Sequence, residues 1–447
     1  MIISMNSACL IFPAFGIGSS ELLHFMKSLT DRHLEEKILL VCSSDLQSLA
    51  EEWFPYVLVD NFRSVDDLIG RLDGWKQERG IDYSGILGID EEEQFGLSRA
   101  IAKRYMLAFH REETCRIASN KYLQKRVFTR EKVPIGRWGL ISDPDDPVVA
   151  DVGFPSVLKL MSGVGSQFLF FNPDEAHFRE NMIRMQAAAE RSDKTNLLDV
   201  RQVTVDGDGM QLEPRRQFLL DQYIPGNEFS CDFLVRNGEP YVIRIVKKIQ
   251  GPVFGFFYGY YLPDRADLER EDFDLSGWRE ICVRIARALA VDRGICMVDF
   301  KRDGRSFRIL EASIRPGLSA FNHLMYRVCG YTALSLAARL AMGEEIDVTL
   351  PDTPGAVVYF YKNSLMEPGA YREYIAEQGG RFGAETIFYY EESEDESTES
   401  DVDHSGMLQG YMVFTHIRQE ALAVLIHELG KQNSIRSGSE DRTGFDS

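Results

Sequence analysis

Residues 297–317 read MVDFKRDGRSFRILEASIRPG. Asp303-Gly304 between two alternating runs is a strong β-hairpin signal. With a three-residue turn at 303–305, residue 299 faces 309 and 297 faces 311. Side chains alternate with period two, so Asp299, Glu311, Ser313 and Arg315 then share one face. A two-residue turn puts Asp299 on the other face unless a bulge intervenes. Two carboxylates held close together repel unless a proton or cation sits between them. Mg²⁺ takes oxygen ligands and shares its shell with substrate phosphates. Arg315 beside them can neutralise a phosphoryl group or grip a carboxylate with two hydrogen bonds. The competing reading is a structural ion-pair network of the two acids with Arg315.

Upstream segments bear on that choice. Lys159 lies on an apolar strand, FPSVLKLM (154–161), and Ser162-Gly163-Val164-Gly165-Ser166 follows. A lysine supplies a point charge, and glycines let backbone N–H groups approach phosphate oxygens. Lys121 opens a capped helix, SNKYLQKRVFTREK (119–132), where the dipole also favours anions. Lys125 falls on what reads as a solvated face of that helix. In LLDQYIPGNEFSCDFL (219–234), a strand ends in polar residues and another starts after Pro225-Gly226. The backbone of Asp221, Gln222, Tyr223 and Ile224 can line a base there, and Glu228 can accept from ribose hydroxyls. A plain turn with a solvated Glu228 is the alternative.

The whole chain sets bounds. It has 447 residues, 44% apolar and 27% charged, enough for two to four domains. The formal charge of −19 argues against non-specific nucleic-acid binding but not against a local basic cluster for phosphates. Seven cysteines show no C-x-x-C pair, which fits reduced thiols and a cytoplasmic protein. No apolar run reaches the roughly 18 residues of a membrane helix. Residues 8–109 alternate strands (ACLIFPAF, EKILLVCS, PYVLVD, SGILGID) with helical patterns, so a parallel doubly wound sheet is expected. Residues 391–403 hold eight acids in thirteen positions and read as a solvated loop.

The lysine-led helix, FPSVLKLMSGVGS, LLDQYIPGNEFSCDF and VDFKRDGRSFRILEASIRPG, in that order, resemble the ATP-grasp superfamily in its carboxylate–amine ligase branch. The resemblance covers about residues 115–345, and paired acids twelve apart across a hairpin are part of it. It implies an α/β architecture: a Rossmann-like N-terminal domain (1–112), a two-lobed ATP-grasp core (113–345, with the smaller lobe and lid about 130–215) and a small C-terminal α+β domain (346–430) carrying the acidic loop. A disordered tail (431–447) is expected from its polar composition.

The resemblance also implies roles. Lys121 and Lys159 contact the ATP phosphates, under a lid of Ser162, Gly163, Gly165 and Ser166. Residues 221–224 line adenine, and Glu228 meets the ribose. Asp299, Glu311 and Ser313 hold Mg²⁺, or Mn²⁺, and Arg315 binds an acyl phosphate or substrate carboxylate. Two departures stand out. Ser313 replaces the usual Asn, which puts one of two metal ions in doubt. Gln167-Phe168 replace a further lid glycine. The implied reaction joins a small-molecule carboxylate, such as an amino acid, to an amine through an acyl phosphate, releasing ADP. Neither nucleic acid nor membrane is an expected partner, and a homodimer is compatible. Lys247, Lys248 and His323 are pocket candidates, although an exposed surface is the commoner setting for each. Rival readings are another ATP-grasp chemistry (carboxylation or phosphotransfer), a non-catalytic nucleotide-binding protein, and a dehydrogenase binding nicotinamide near residues 12–20.

Overall fold

Four strands, β1 (Ala8–Pro13), β2 (Ile38–Cys42), β3 (Tyr56–Val59) and β4 (Asp82–Ile86), pair in parallel in the order β3-β2-β1-β4. Such a sheet needs helices on both faces. Leu10, Phe12 and Leu40 pack on one side with Leu22 and Phe25 of helix Ser19–Thr30. Cys9, Ile11, Leu39 and Val41 pack on the other with Leu68 and Leu72 of helix Val65–Arg79. The structure is a computed structural model. It describes residues 8–15, 17–30, 33–89, 96–162, 168–192, 198, 200–205, 208–251, 257–362, 366–390 and 408–432. The acidic run 391–403 and lid residues Gly163, Gly165 and Ser166 lie outside the described residues.

A second, antiparallel sheet follows. Its strands β5 (Trp138–Ile141), β6 (Ser156–Lys159), β7 (Leu169–Asn172) and β10 (Phe218–Gln222) run in the order β5-β10-β6-β7. β8 (Arg201–Val205) and β9 (Asp208–Leu212) form a hairpin of their own. Helix Glu175–Arg191 covers the sheet through Phe178, Met182 and Met185.

The largest sheet comprises β11 (Asn227–Arg236), β12 (Glu239–Gln250), β13 (Phe257–Leu262), β14 (Arg293–Asp303), β15 (Ser306–Ser313), β16 (Gly355–Tyr361), β17 (Thr386–Tyr389) and β18 (Leu408–Thr415). Its order is β15-β14-β11-β12-β13-β16-β18-β17. Phe229, Cys231, Phe233, Val298 and Phe300 are buried against Trp278 of helix Leu275–Ala288. Strand alternation therefore sends Glu228, Ser230, Asp232 and Asp299 to the opposite face.

The C-terminal segment has the expected α+β content, with helices Pro368–Phe382 and Gln419–Gln432 packed on its strands. Those strands continue the large sheet through the β13–β16 pairing. Gly259 permits that contact. It sits at φ 146°, and a Cβ there would lie 1.9 Å from the Val357 carbonyl oxygen. The last helix runs through Lys431, where disorder was expected to begin.

Helix Ser19–Thr30 packs against helix Phe321–Cys329, joining the first domain to the large sheet. His24 and His323 stack there with ring centroids 3.6 Å apart. His24 Nδ1 donates to the Ser20 carbonyl at 2.6 Å, and His323 Nδ1 lies 3.2 Å from the Tyr411 hydroxyl, which also bonds Ser20 Oγ. His323 is thus a buried packing residue, not the exposed one its sequence setting suggested. Burial lowers His24 to about 4 and His323 to about 2, and Lys27 and Arg327 push the same way. Both rings are neutral when folded, whereas unfolded imidazoles gain protons below about 6.5. The stability they hold at neutral pH is lost as the pH falls from about 6.5 toward the folded values. His323→Gln should flatten that loss relative to the parent chain, measured by urea unfolding at about pH 7, 6 and 5. An unchanged pH slope would remove the pair as its source.

Candidate active site

The hairpin β14–β15 closes with a two-residue turn, Gly304-Arg305, because Asp303 pairs with Ser306. Gly304 takes φ 56° there. Residue 299 therefore does not face 309 as a three-residue turn would require. Phe300 opposes Ile309, a bulge follows, and Asp299 opposes Glu311. The extra residue returns both acids to one face by the second of the two routes the sequence allowed. On β11, Ser230 lies opposite Asp299 and Glu228 opposite Lys301. Glu228, Ser230, Asp299, Glu311 and Lys301 thus share a polar face with Lys248 of β12.

Lysines close this face. Lys248 Nζ lies 2.7 Å from Glu228 Oε1 and 2.9 Å from Asp299 Oδ2. Lys121 Nζ lies 3.1 Å from Glu311 Oε2. Lys121 is the first residue of helix Lys121–Arg130, which Asn120 caps by accepting from the Leu123 N–H. The Lys121 N–H donates to the Met161 carbonyl at 2.7 Å, which fixes the helix start beside the end of β6. Ser162 Oγ donates to the Ser119 carbonyl at 3.1 Å.

Lys159 meets Asp221 at 2.7 Å, and Lys125 reaches the same carboxylate oxygen at 2.8 Å. β6 and β10 pair so that Lys159 opposes Leu219, which sets Asp221 diagonally across on the same face. Two expectations need correcting. Lys125 is buried, its side chain 4% exposed, and not on a solvated face. Asp221 offers a carboxylate to two ammonium groups and no free backbone to a base, since it sits mid-sheet between Trp138 and Val157. The N–H groups of Gln222 and Tyr223 are likewise spent, on the Arg137 and Pro155 carbonyls. Ile224 is buried, and the Tyr223 ring lies 4.7 Å from Lys301 Nζ.

The acids titrate in opposite directions. Burial raises Glu311, but Lys121 and Lys159 together outweigh it and draw the carboxyl down to about 2. Burial also pushes Asp299 up; Glu228 and Glu311 add to that, and Lys248 opposes it. Asp299 Oδ1 is buried with no hydrogen-bond partner among the described residues. An orphaned carboxylate oxygen beside a second carboxylate is a hard-donor set, and it fits a divalent cation such as Mg²⁺. Ser313 follows on β15, opposite Met297.

Arg315 donates from Nη1 to the Pro316 carbonyl at 2.9 Å. Among the described residues the acids form ion pairs with Lys121 and Lys248, where the competing reading had placed Arg315. The Arg315 loop is held from below. Gly317 N–H donates to Asp232 Oδ1 at 3.0 Å, and Asp232 Oδ2 accepts from Arg244 Nε at 2.8 Å. Asp232 and Arg244 are fully buried, with the guanidinium over the Phe321 ring. Lys125, Lys248, Asp232 and Arg244 are therefore site residues that sequence reading missed or left as surface. Asp232 and Arg244 had a signal: each interrupts an apolar strand, SCDFLV and VIRIV.

A small antiparallel sheet, β5-β10-β6-β7, beside a larger antiparallel sheet whose β14–β15 hairpin opposes two carboxylates is the arrangement of the ATP-grasp fold. Solved structures with this fold superpose over nearly the full length of the chain. An L-amino acid ligase from Bacillus licheniformis superposes with a TM-score of 0.68 at 15% identity, covering 96% of this chain and 98% of that one. An N5-carboxyaminoimidazole synthase from Aspergillus clavatus, solved with ADP and 5-aminoimidazole ribonucleotide, gives 0.66 at 12% identity, covering 95% and 98%. In sequence, the carbamoyl phosphate synthase large chain of Clavibacter sepedonicus is 26% identical over 201 residues, 44% of this chain. The match spans only 16% of that relative's length. No family model matches the sequence.

Lys125→Met leaves Asp221 with Lys159 as its remaining ammonium partner here. Stripping a buried pair costs about 3–5 kcal/mol, so the retained partner should hold the loss to about 3 kcal/mol or less. Adding Asp221→Asn should be far from additive in a double-mutant cycle followed by denaturant unfolding. Simple additivity would show that the pair does not interact.

Proposed function

We propose that the chain is an ATP-dependent carboxylate–amine ligase that forms a carbon–nitrogen bond through an acyl phosphate. The observation that carries this reading is the directly opposed pair Asp299–Glu311, flanked by Lys121 from the helix Lys121–Arg130 and Lys248 from β12. Phosphoryl transfer needs positioning and charge neutralisation more than a protein nucleophile, and the site supplies both. Lys121 and Lys159 bind the phosphates, and their present carboxylate contacts hold the ammonium groups in place beforehand. Glu228 accepts from the ribose. Asp299 and Glu311, with the Ser313 hydroxyl, hold Mg²⁺. When bound, the ion neutralises charge on the transferring phosphoryl group. Arg315 steadies the substrate carboxylate as it attacks the γ-phosphorus. ADP leaves, and an amine then displaces phosphate from the acyl phosphate. Water has to be kept from the intermediate, which it would otherwise hydrolyse. The likeness to an L-amino acid ligase supports an amino acid as one substrate, and an enzyme acting on small molecules without nucleic acid or membrane. Among the described residues, no helix is long and apolar enough to cross a membrane.

A screen of phosphate release, pairing amino acids and other carboxylates with amines in the presence of ATP and Mg²⁺, tests the reaction. Turnover should require both an acid and an amine. Turnover with bicarbonate in place of the acid would replace this reading with a carboxylation. Asp299→Asn and Glu311→Gln should each lower ADP formation by on the order of a hundredfold or more. Asp299→Asn should leave the melting temperature little changed, because Lys248 keeps Glu228, whereas Glu311→Gln should lower it, because Lys121 and Lys159 lose the carboxylate they hold ionised. A large loss of stability with near-normal turnover would make the hairpin acids purely structural. Lys159→Ala should weaken binding of a non-hydrolysable ATP analogue about tenfold more than Lys125→Ala, since Lys125 is sealed beneath Asp221. Equal affinities, read by calorimetry, would remove Lys159 from the phosphate site.

A further inference from the structure

Lys248 occupies an unusual position for a residue with no part in the scheme above. Its ammonium lies between Glu228 Oε1 and Asp299 Oδ2, at 2.7 and 2.9 Å, and its side chain is 10% exposed. The Phe257 ring, 4.9 Å from Nζ, backs it. Water has little access, so the ammonium draws its neutralisation from the two carboxylates, and they from it. This is the position of a cation coordinated by two acids, filled by the protein itself.

The consequence concerns how many metal ions the site takes. Asp299 has two oxygens. Lys248 holds Oδ2, and only Oδ1 is without a hydrogen-bond partner. A pair of divalent ions sharing these acids needs both oxygens of a carboxylate, and would bring a second dication against an ammonium already in place. At the next position on this face stands Ser313, whose short hydroxyl adds neither charge nor reach.

We propose that Lys248 is a built-in cation: it takes the place beside Asp299 of a second divalent ion, so that the site binds one divalent cation per nucleotide. Lys248 is then a positioning residue that keeps Glu228 and Asp299 together without a metal and leaves Asp299 Oδ1 for the single ion. Removing its charge exposes two adjacent carboxylates, which attract a second ion. This rests on the nucleotide site proposed above.

The test is a count. Mn²⁺ is titrated into protein mixed one-to-one with a non-hydrolysable ATP analogue, and free Mn²⁺ is read by electron paramagnetic resonance. The parent chain and Lys248→Arg should each bind one Mn²⁺ per nucleotide, and Lys248→Gln should bind two. Two equivalents in the parent chain, or one in a folded Lys248→Gln, would overturn the proposal and leave the nucleotide site standing. If Lys248→Gln does not fold, the parent count alone decides: one supports, two overturns. No nucleotide-dependent Mn²⁺ uptake in the parent would instead bring down the nucleotide site, and this proposal with it.

Discussion

One extra residue in β15 decides whether the site exists. With the two-residue turn and no bulge, Asp299 would oppose Leu310, and Glu311 would oppose Val298. Glu311 would then lie on the face where Val298 and Phe300 pack against Trp278. An unpaired carboxylate in such surroundings is strongly disfavoured. The bulge keeps Ile309 opposite Phe300 in the core while setting Glu311 opposite Asp299. It is also pinned from outside. The Ile309 N–H donates to the Pro134 carbonyl at 2.7 Å, and the Ala312 N–H donates to Gln124 Oε1 at 3.1 Å. Gln124 lies one turn along the helix that begins with Lys121. The Gln124 contact therefore helps to fix the hairpin register and at the same time sets Lys121 against Glu311.

The site's charges form a closed set in which each acid already has its ammonium. Glu311 has Lys121, Asp299 and Glu228 share Lys248, and Asp221 takes Lys125 and Lys159. A chain with a net charge of −19 can present a binding surface to an anion only through such local concentration. The pairing also spares the fold the repulsion that bare opposed acids would impose. An anionic ligand that draws Lys121 away from Glu311 leaves a stronger negative site behind, and a divalent cation answers that need. On the proposed reading, anion and cation binding are coupled through these shared partners.

Much of this was legible in the sequence because the acids break the alternation of otherwise apolar strands. Asp299 and Glu311 could be placed together on that ground, Glu228 joined them only through the family resemblance, and Lys121 followed from its helix start. The register could not. Turn length and bulge are set by contacts with Gln124 and Pro134, far away in the chain. Lys125 was misread for a related reason. In YLQKRVF it resembles a solvated helix position, and its partner Asp221 is visible only once β10 is in place. The same holds for the continuity of the large sheet. Nothing around Gly259 announces a β13–β16 pairing, although a glycine at φ 146° against the Val357 carbonyl is what that pairing demands.

Asp232 and Arg244 show how the buried layer shapes the surface above it. A fully buried ion pair adds little net stability, because desolvation offsets the attraction. Its value here is geometric. Both groups are occupied on several sides: Arg244 donates to Ser230 as well as to Asp232, and Asp232 accepts from the Gly317 N–H. A Cβ at residue 317 would come within 2.5 Å of Arg244 Nη2, so the loop can sit this low only as glycine. Asn322 Nδ2 clamps the Gly317 carbonyl at 3.0 Å from the following helix. The loop that carries Arg315 is thus bonded on both sides of its Pro316-Gly317 turn. A guanidinium that meets a developing negative charge, the role proposed for Arg315, gains most when its backbone does not have to reorganise, and this buried pair holds the loop two residues away from that side chain.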